Sequence, residues 1–229
     1  MYLLLSQKLS PNLGFYKGKT REIKSEMIDT IDKFNRETKL NIDSHTGTHI
    51  DYPAHAIKDG KFGDVYPIDH LCTEHVEVIE FDLRDDNKPI LSLSLFKEIK
   101  ISNKVEVIII KTGFSHIRND ATYFWESPII DSELPLYLKE YFPLLRAVGF
   151  DVISVTSQLD RDEGKKCHKN FLSQEKGEPI LIIEDMDLRN ISSKIKLASI
   201  TILPLIFENM DGAPCTVMVN KLEGKENEN

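Results

Sequence analysis

The chain has 229 residues, which is enough to bury a sizeable core in a single domain. Its formal net charge of −8, with basic residues scattered along the chain, argues against a protein that binds nucleic acid by neutralising phosphates. No apolar run approaches the roughly 20 residues that cross a bilayer, and the first residues lack the basic region of a signal peptide. We therefore expect a cytoplasmic protein that binds neither nucleic acid nor membrane. Its three widely spaced cysteines are expected to be free thiols.

The first half of the chain predicts mostly β-structure. A short strand is predicted at 2–6, and apolar residues at helical spacing predict a helix over 25–37. An extended segment at 39–44 follows. β-Branched residues then predict strands at 75–83 and 105–112, the second of which holds the apolar run that is typical of a buried strand.

The second half alternates helix and strand. Leucine and tyrosine at helical spacing predict a helix over 131–148, ended by a glycine. Strands are predicted at 150–156, 179–184, 198–207 and 215–219.

This order of elements favours the α/β class, with a mixed β-sheet and flanking helices. The sequence shows no internal repeat and no low-complexity linker. We expect one domain over 1–222 and a polar C-terminal tail over 223–229.

Three histidines and an aspartate fall within eleven consecutive residues, in a chain that has seven histidines in all. The segment reads His45-Thr46-Gly47-Thr48-His49-Ile50-Asp51-Tyr52-Pro53-Ala54-His55. His45 and His49 would share one face of a helix, but Gly47 and Pro53 disfavour a helix here. The segment also differs from the H-E-x-x-H zinc motif, because Thr46 stands where that motif has its glutamate.

An extended backbone suits the segment better than a helix. His49 and Asp51 are two residues apart and would point to the same side of a strand. Gly47 allows a bend that brings His45 to the same point, and Pro53 would orient His55. Imidazole and carboxylate ligands suit Zn²⁺, Mn²⁺ or Fe²⁺ better than Ca²⁺ or Mg²⁺. The segment therefore predicts a metal site, with solvated loop histidines as the alternative.

Two later residues are further candidates for ligands. His168 lies in a basic segment, and Glu184 ends the apolar run 179–183. A buried carboxylate needs a partner, which a metal ion, a lysine or a helix N-terminus would each supply. Nearby acidic residues, at 160–163 and at 185 and 187, are expected to be solvated.

The eleven-residue segment resembles the H-x-G-T-H-x-D-x-P-x-H signature of the cyclase family, whose best-known member is bacterial kynurenine formamidase and which includes isatin hydrolases. Further segments are similar to family elements: 107–114, which contains Lys-Thr-Gly, the Gly-x-Asp-x-x-Ser strand at 149–154, 202–205, and Asp-Gly-Ala-Pro at 211–214. Two differences stand out. Residues 15–18 read Phe-Tyr-Lys-Gly where formamidases carry a W-P-G-type element, and 173–178 resembles a small insertion.

The resemblance implies a swivelling β/β/α fold assembled as a homodimer or homotetramer. It implies one or two divalent ions, Zn²⁺ or Mn²⁺, with His55 as the proton-transfer residue. The metal ligands it implies are His45, His49, Asp51, His168 and Glu184. The implied activity is hydrolysis of a small-molecule amide, with an aryl formamide such as N-formylkynurenine as the named candidate. Hydrolysis of a cyclic amide or lactone, and non-catalytic metal binding, are the alternatives.

Overall fold

A large mixed β-sheet dominates the computed structural model, which describes residues 1–10, 13, 14, 16, 24–29, 36–84 and 87–222. The described strands are β1 (Tyr2–Leu4), β2 (Lys24–Asp29), β3 (Arg36–Asn41), β4 (His49–Asp51), β5 (Cys72–Thr73), β6 (Val76–Glu80), β7 (Ile90–Leu91), β8 (Val107–Lys111), β9 (Ile129–Ile130), β10 (Ala147–Phe150), β11 (Leu181–Glu184), β12 (Leu197–Pro204) and β13 (Gly212–Lys221). The described α-helices are α1 (Leu93–Lys97), α2 (Ala121–Trp125), α3 (Leu134–Tyr141) and α4 (Arg161–Leu172).

The main sheet combines parallel and antiparallel strands in the order β5-β12-β13-β4-β11-β10-β8-β6, with β1 beside β13. The strands β6, β8, β10 and β11 run parallel, and the remaining pairs are antiparallel. The two ends of this order, β5 and β6, are neighbours along the chain, so the sheet curves back toward itself. The predicted α/β class with a mixed sheet and flanking helices is confirmed.

Each face of the sheet covers its own hydrophobic core. On β8, Val107 and Ile109 point into a core shared with β12 and β13, while Ile108 and Ile110 point into a core shared with α3 and α4. This alternation follows from the two-residue period of a strand. Because both faces are buried, residues 107–110 of β8 form a continuous apolar run, as the sequence predicts.

The site lies where the carboxyl ends of the parallel strands meet. Since β8, β10 and β11 run in the same direction, the loops that follow them share one edge of the sheet. The strand β4 runs antiparallel to β11, which places His49, its first residue, beside Glu184, the last residue of β11.

The helix predicted over 25–37 is wrong. The structure has an antiparallel hairpin of β2 and β3 there, and residues 30–35 lie outside the described part. Met27 and Ile28 are adjacent apolar residues that fit a strand as well as a helix, and pairing with the second strand decides between the two.

The helix predicted over 131–148 is too long. The helix α3 ends at Tyr141, because Pro143 disfavours helical backbone at the residue before it. The chain then enters β10, which pairs with β8 and β11. The strand predicted at 150–156 is therefore wrong in its bounds, since β10 ends at Phe150, and Gly149 lies within β10 rather than ending the helix.

The acidic segment 160–163 begins a helix instead of forming a solvated loop. Asp160 caps α4 by accepting a hydrogen bond from the backbone N–H of Glu163, which satisfies one of the free donors at the start of the helix. The three cysteines are free thiols, as predicted. No helix among the described residues is long and apolar enough to cross a membrane. The predicted tail over 223–229 lies outside the described residues.

Asp151, which follows β10, ties this strand to the loop after β8. Its fully buried carboxylate accepts hydrogen bonds from the backbone N–H groups of Thr112, Gly113 and Ser115 and from the hydroxyls of Thr112 and Ser115. Five donors converge on two oxygens, so the carboxylate holds the loop against the sheet.

Asp151→Asn should lower the free energy of unfolding by about 1–3 kcal/mol. The side-chain amide would point its own N–H donors at loop N–H groups that need an acceptor. Denaturant unfolding measures this change. Asp82→Asn is the control, because Asp82 lies beside Gly113 of the same loop but is largely exposed, and its effect should stay within about 0.5 kcal/mol. Equal effects of the two substitutions would contradict the role of Asp151.

Candidate metal centre

The first half of the histidine motif is a turn. Gly47 has φ = +62°, a left-handed conformation that favours glycine, and a Cβ there would come within 2.5 Å of Leu9 Cδ2. The hydroxyl of Thr46 accepts a hydrogen bond from the backbone N–H of Asp43 at 3.0 Å. Thr48 donates its hydroxyl to the carbonyl of Asp185 at 2.6 Å. The two threonines organise the backbone of the turn.

The second half of the motif is β4, which lies between β11 and β13. His49 and Asp51 point to the same face, as the strand spacing predicts, and both are buried. Glu184 pairs directly opposite His49, and Gly212 pairs opposite Asp51. A Cβ on Gly212 would lie 2.5 Å from Cε1 of His45, so the missing side chain leaves room for that imidazole.

The helix α4 brings a third imidazole to the same face of the sheet. His168 Nε2 lies 3.4 Å from Asp51 Oδ2 and 3.3 Å from Glu184 Oε1. On the other side, His45 Nδ1 lies 2.9 Å from Asp51 Oδ1. His49 Nε2 lies 3.5 Å from Asp51 Oδ1 and 3.4 Å from Glu184 Oε2. The structure thus brings together the five residues that the family resemblance implies as ligands.

Hydrogen bonds fix the orientation of the candidate ligand groups. His49 Nδ1 donates to the carbonyl oxygen of Gly47 at 2.7 Å, because a carbonyl oxygen can only accept. His168 Nδ1 is bonded to the hydroxyl of Thr156 at 2.7 Å. The Nε2 atoms of both rings therefore face the carboxylates, in the arrangement that metal-binding histidines adopt. Glu184 Oε1 is held by the backbone N–H of Val155 at 2.7 Å.

The buried atoms at the centre of the cluster lack hydrogen bonds. Neither carboxylate oxygen of Asp51, nor Nε2 of His168, has a hydrogen-bond partner in the described part of the chain. Asp51 is fully buried and Glu184 is 3% exposed. Buried polar atoms without partners are costly, and a divalent cation held between carboxylate oxygens and imidazole nitrogens satisfies them all. The donor set of the cluster therefore fits a metal ion.

The charges of the cluster depend on one another. Burial opposes ionisation of each group, yet the carboxylates of Asp211 and Asp51 raise the pKa of His45 to about 10. Asp51 and Glu184 likewise outweigh the burial of His168 and raise its pKa to about 10. The imidazoles in turn hold the pKa of Asp51 well below its usual range. A proton on Nδ1 of His45 or on Nε2 of His168 would therefore compete with a cation for the same position beside Asp51.

His55 lies at the mouth of the cluster. It ends the short 3₁₀ helix Pro53–His55, and about a third of its side chain is exposed. Its ring centroid lies 4.1 Å from that of His45 and 5.6 Å from that of His168. The position allows its imidazole to meet both solvent and a molecule bound over the cluster.

Asp211 is a residue of the site that sequence reasoning missed. One of its oxygens, Oδ2, accepts hydrogen bonds from His45 Nε2 at 3.0 Å and His55 Nδ1 at 3.2 Å. The hydrogen bond from His45 is the main reason that the pKa of Asp211 lies below its usual range. The Asp-Gly-Ala-Pro element was its only signal in the sequence, and its place beside β4 follows from the pairing of β13 with that strand.

Asp185 is buried, so the prediction that it is solvated is wrong. Arg118 donates to both of its carboxylate oxygens, at 2.7 and 2.8 Å, and Tyr123 donates its hydroxyl at 2.6 Å. Arg118 Nη2 also donates to the carbonyl of Gly14 at 2.9 Å. Asp187 is partly buried against Arg189.

A cavity of about 510 Å³ opens over the cluster. Its lining includes the four histidines of the site and Glu184: His45, His49, His55, His168 and Glu184. This volume is within the range of small-molecule sites. The other histidines of the chain, His70, His75 and His116, are not among its lining residues.

Comparisons with known proteins agree with this architecture. Residues 4–157, which include the histidine motif, match the model of the Cyclase family. A kynurenine formamidase of Geobacillus thermodenitrificans (strain NG80-2) is 30% identical over 194 residues, which are 80% of this chain and 79% of that protein.

Solved structures share the fold. A potential metal-dependent hydrolase with cyclase activity superposes with a TM-score of 0.75 at 22% identity, over 98% of this chain and 99% of that one. Isatin hydrolase A from Labrenzia aggregata, bound to benzyl benzoate, superposes with a TM-score of 0.77 at 18% identity, over 96% of this chain and 93% of that one. The fold implied by the family resemblance is confirmed.

Gly212→Ala should weaken metal binding by about tenfold or more, because the added methyl group displaces the ring of His45. Titration of Zn²⁺ or Mn²⁺ into metal-free protein measures the affinity, and a thermal unfolding curve shows that the variant folds. The same substitution in a His45→Ala background should have a much smaller effect, since the clashing ring is gone. An equal loss of affinity in both backgrounds would contradict this explanation.

Proposed function

Since the chain belongs to the Cyclase family, we propose that it is a metal-dependent hydrolase that cleaves a small amide. The observation that carries the proposal is the buried carboxylate of Asp51, which has no hydrogen-bond partner in the described part of the chain and faces the imidazoles of three histidines. An aryl formamide such as N-formylkynurenine is the named substrate, supported by the 30% identity to a kynurenine formamidase.

The proposed ligands hold one or two divalent cations, Zn²⁺ or Mn²⁺. They are His45, His49, Asp51, His168 and Glu184. When bound, such a cation lowers the pKa of a coordinated water and stabilises negative charge on the acyl oxygen. Thr156 and the carbonyl of Gly47 keep two of the imidazoles oriented.

His55 is the proposed proton carrier. The ionised carboxylate of Asp211 can only accept, so His55 Nδ1 donates to it and Nε2 is left to accept a proton. As the water oxygen bonds to the acyl carbon, His55 takes the proton that the water loses. When the carbon–nitrogen bond breaks, His55 passes that proton to the leaving amine. The products are an acid and an amine, and Asp211 is a positioning residue for this step.

A cyclic amide or a lactone is the second candidate substrate. The superposition with isatin hydrolase A over 96% of this chain favours it. The Phe-Tyr-Lys-Gly segment at 15–18, which replaces the W-P-G-type element, also separates this chain from typical formamidases. Only Tyr16 of that segment is among the described residues, and it borders the cavity.

A panel of substrates tests the proposed function. The protein reconstituted with Zn²⁺ or Mn²⁺ should hydrolyse at least one formamide, cyclic imide or lactone, and chelation should abolish the activity. Cleavage of isatin or a lactone in place of N-formylkynurenine would select the second candidate. A metal-loaded protein that hydrolyses no member of the panel would contradict the proposal.

Substitutions should separate the metal ligands from the proton carrier. His55→Ala should lower kcat by about 10²–10⁴-fold while the protein keeps its metal, because the proton transfer is lost but the ligands remain. Asp51→Ala should lose both metal and activity. His75→Ala, which changes an exposed histidine outside the cavity, is the control and should behave like the wild type. Elemental analysis and steady-state kinetics measure the two properties, and equal metal contents in the His55 and Asp51 variants would refute these roles.

A further inference from the structure

Three cationic side chains of α4 line the cavity beside the cluster. Arg161, Lys165 and Lys169 are spaced four residues apart, so they lie along one face of the helix. His168 belongs to the same side of the helix and reaches the cluster. One wall of the cavity is therefore positively charged, in a chain whose net charge is −8.

Acidic groups of the protein offset little of the positive charge of these three side chains. In the described part of the chain, neither Arg161 nor Lys169 has an ion-pair partner, and Lys165 lies 3.0 Å from Asp162 in a pair whose side chains are 62% and 87% exposed. Such an exposed pair contributes little and gives way to a stronger partner. The carboxylate of Glu184, which also lines the cavity, is turned toward His49 and His168.

The spacing along the helix separates the cations from the reacting centre. At 1.5 Å per residue, Lys165 and Lys169 lie within about one turn of His168, and Arg161 lies about 10 Å away along the axis. A molecule held by these side chains would place its anionic group several bonds away from an amide bound over the cluster. The guanidinium of Arg161 is also suited to hold a carboxylate through two parallel hydrogen bonds.

We propose that the cavity selects substrates that carry a carboxylate, which the cationic face of α4 binds while the scissile bond lies over the histidine cluster. The proposal rests on the hydrolase function proposed above and narrows its substrate class. A neutral substrate of the same size leaves Arg161 and Lys169 facing water and Lys165 in its exposed pair with Asp162.

The same helix provides a matched control. Lys166 is as exposed as Lys165, but it pairs with Glu163 and is not among the cavity-lining residues. A lysine-to-glutamine change there alters the net charge by the same amount and keeps a good helix former. It separates binding in the cavity from a general effect of charge.

Kinetics with a pair of substrates test the proposal. 4-Formamidobenzoate and 4-formamidobenzamide share the ring and the scissile formamide and differ in the charge of the distant group. The wild type should favour the carboxylate in kcat/KM. Arg161→Gln, Lys165→Gln and Lys169→Gln together should raise KM for the carboxylate by about tenfold or more. Their effect on KM for the benzamide should be much smaller, and Lys166→Gln should change neither value. Equal effects of the triple variant on both substrates, or none on the carboxylate, would overturn the proposal.

Binding without turnover separates this proposal from the hydrolase function. Calorimetry with 4-aminobenzoate and 4-aminobenzamide should show tighter binding of the carboxylate to the metal-loaded protein. The triple variant should lose that preference, and raising the salt concentration should weaken it. If neither formamide is cleaved but the preference is present and lost in the triple variant, the anion site stands and the assigned reaction falls. If the formamides are cleaved but the triple variant binds both ligands as the wild type does, the anion site falls and the hydrolase function stands.

Discussion

The site depends on the burial of two carboxylates side by side. Asp51 and Glu184 are almost completely removed from water, and imidazoles are the cationic groups that face them in the cluster. Taking a carboxylate out of water without compensation costs several kcal/mol. The placement of β4 between β11 and β13, the missing side chain at Gly212 and the approach of α4 all serve to bring imidazoles to this point. Protons or a cation must supply the positive charge, so ion binding and folding of this region are linked.

The two adjacent acidic residues at the end of β11 point to different sets of partners. Glu184 points into the histidine cluster, whereas Asp185 points to Arg118 and Tyr123. Asp185 has φ = +55°, a conformation that aspartate tolerates better than most residues, and the chain turns there. The guanidinium and the phenol satisfy the carboxylate of Asp185, so it stabilises the fold, whereas Glu184 faces the imidazoles of His49 and His168.

Local spacing made part of the site predictable. His49 and Asp51 lie on one short strand with Gly47 just before it, so residues close in sequence are also close in space. Glu184 and His168 could be assigned only through the family resemblance, because strand pairing and the packing of α4 bring them in from afar. Asp211 was missed for the same reason, since it meets His45 across 166 positions of sequence. The hairpin of β2 and β3 was predicted as a helix because its apolar residues fit the spacing of a helix as well as that of a strand. The pairing of the two strands decides for the strand.

The cavity joins two opposite electrostatic environments. The whole chain carries a net charge of −8, which repels an anion at long range, while one wall of the cavity carries three cations. A concave site concentrates the field of its own walls, so the local charge outweighs the distant charges once a molecule enters. Binding energy from a distant anionic group can then hold the scissile bond in place over the cluster, where orientation is worth more than added affinity for the bond itself. Since α4 carries both the cationic face and His168, one rigid helix fixes the distance between the binding of a substrate and its reaction.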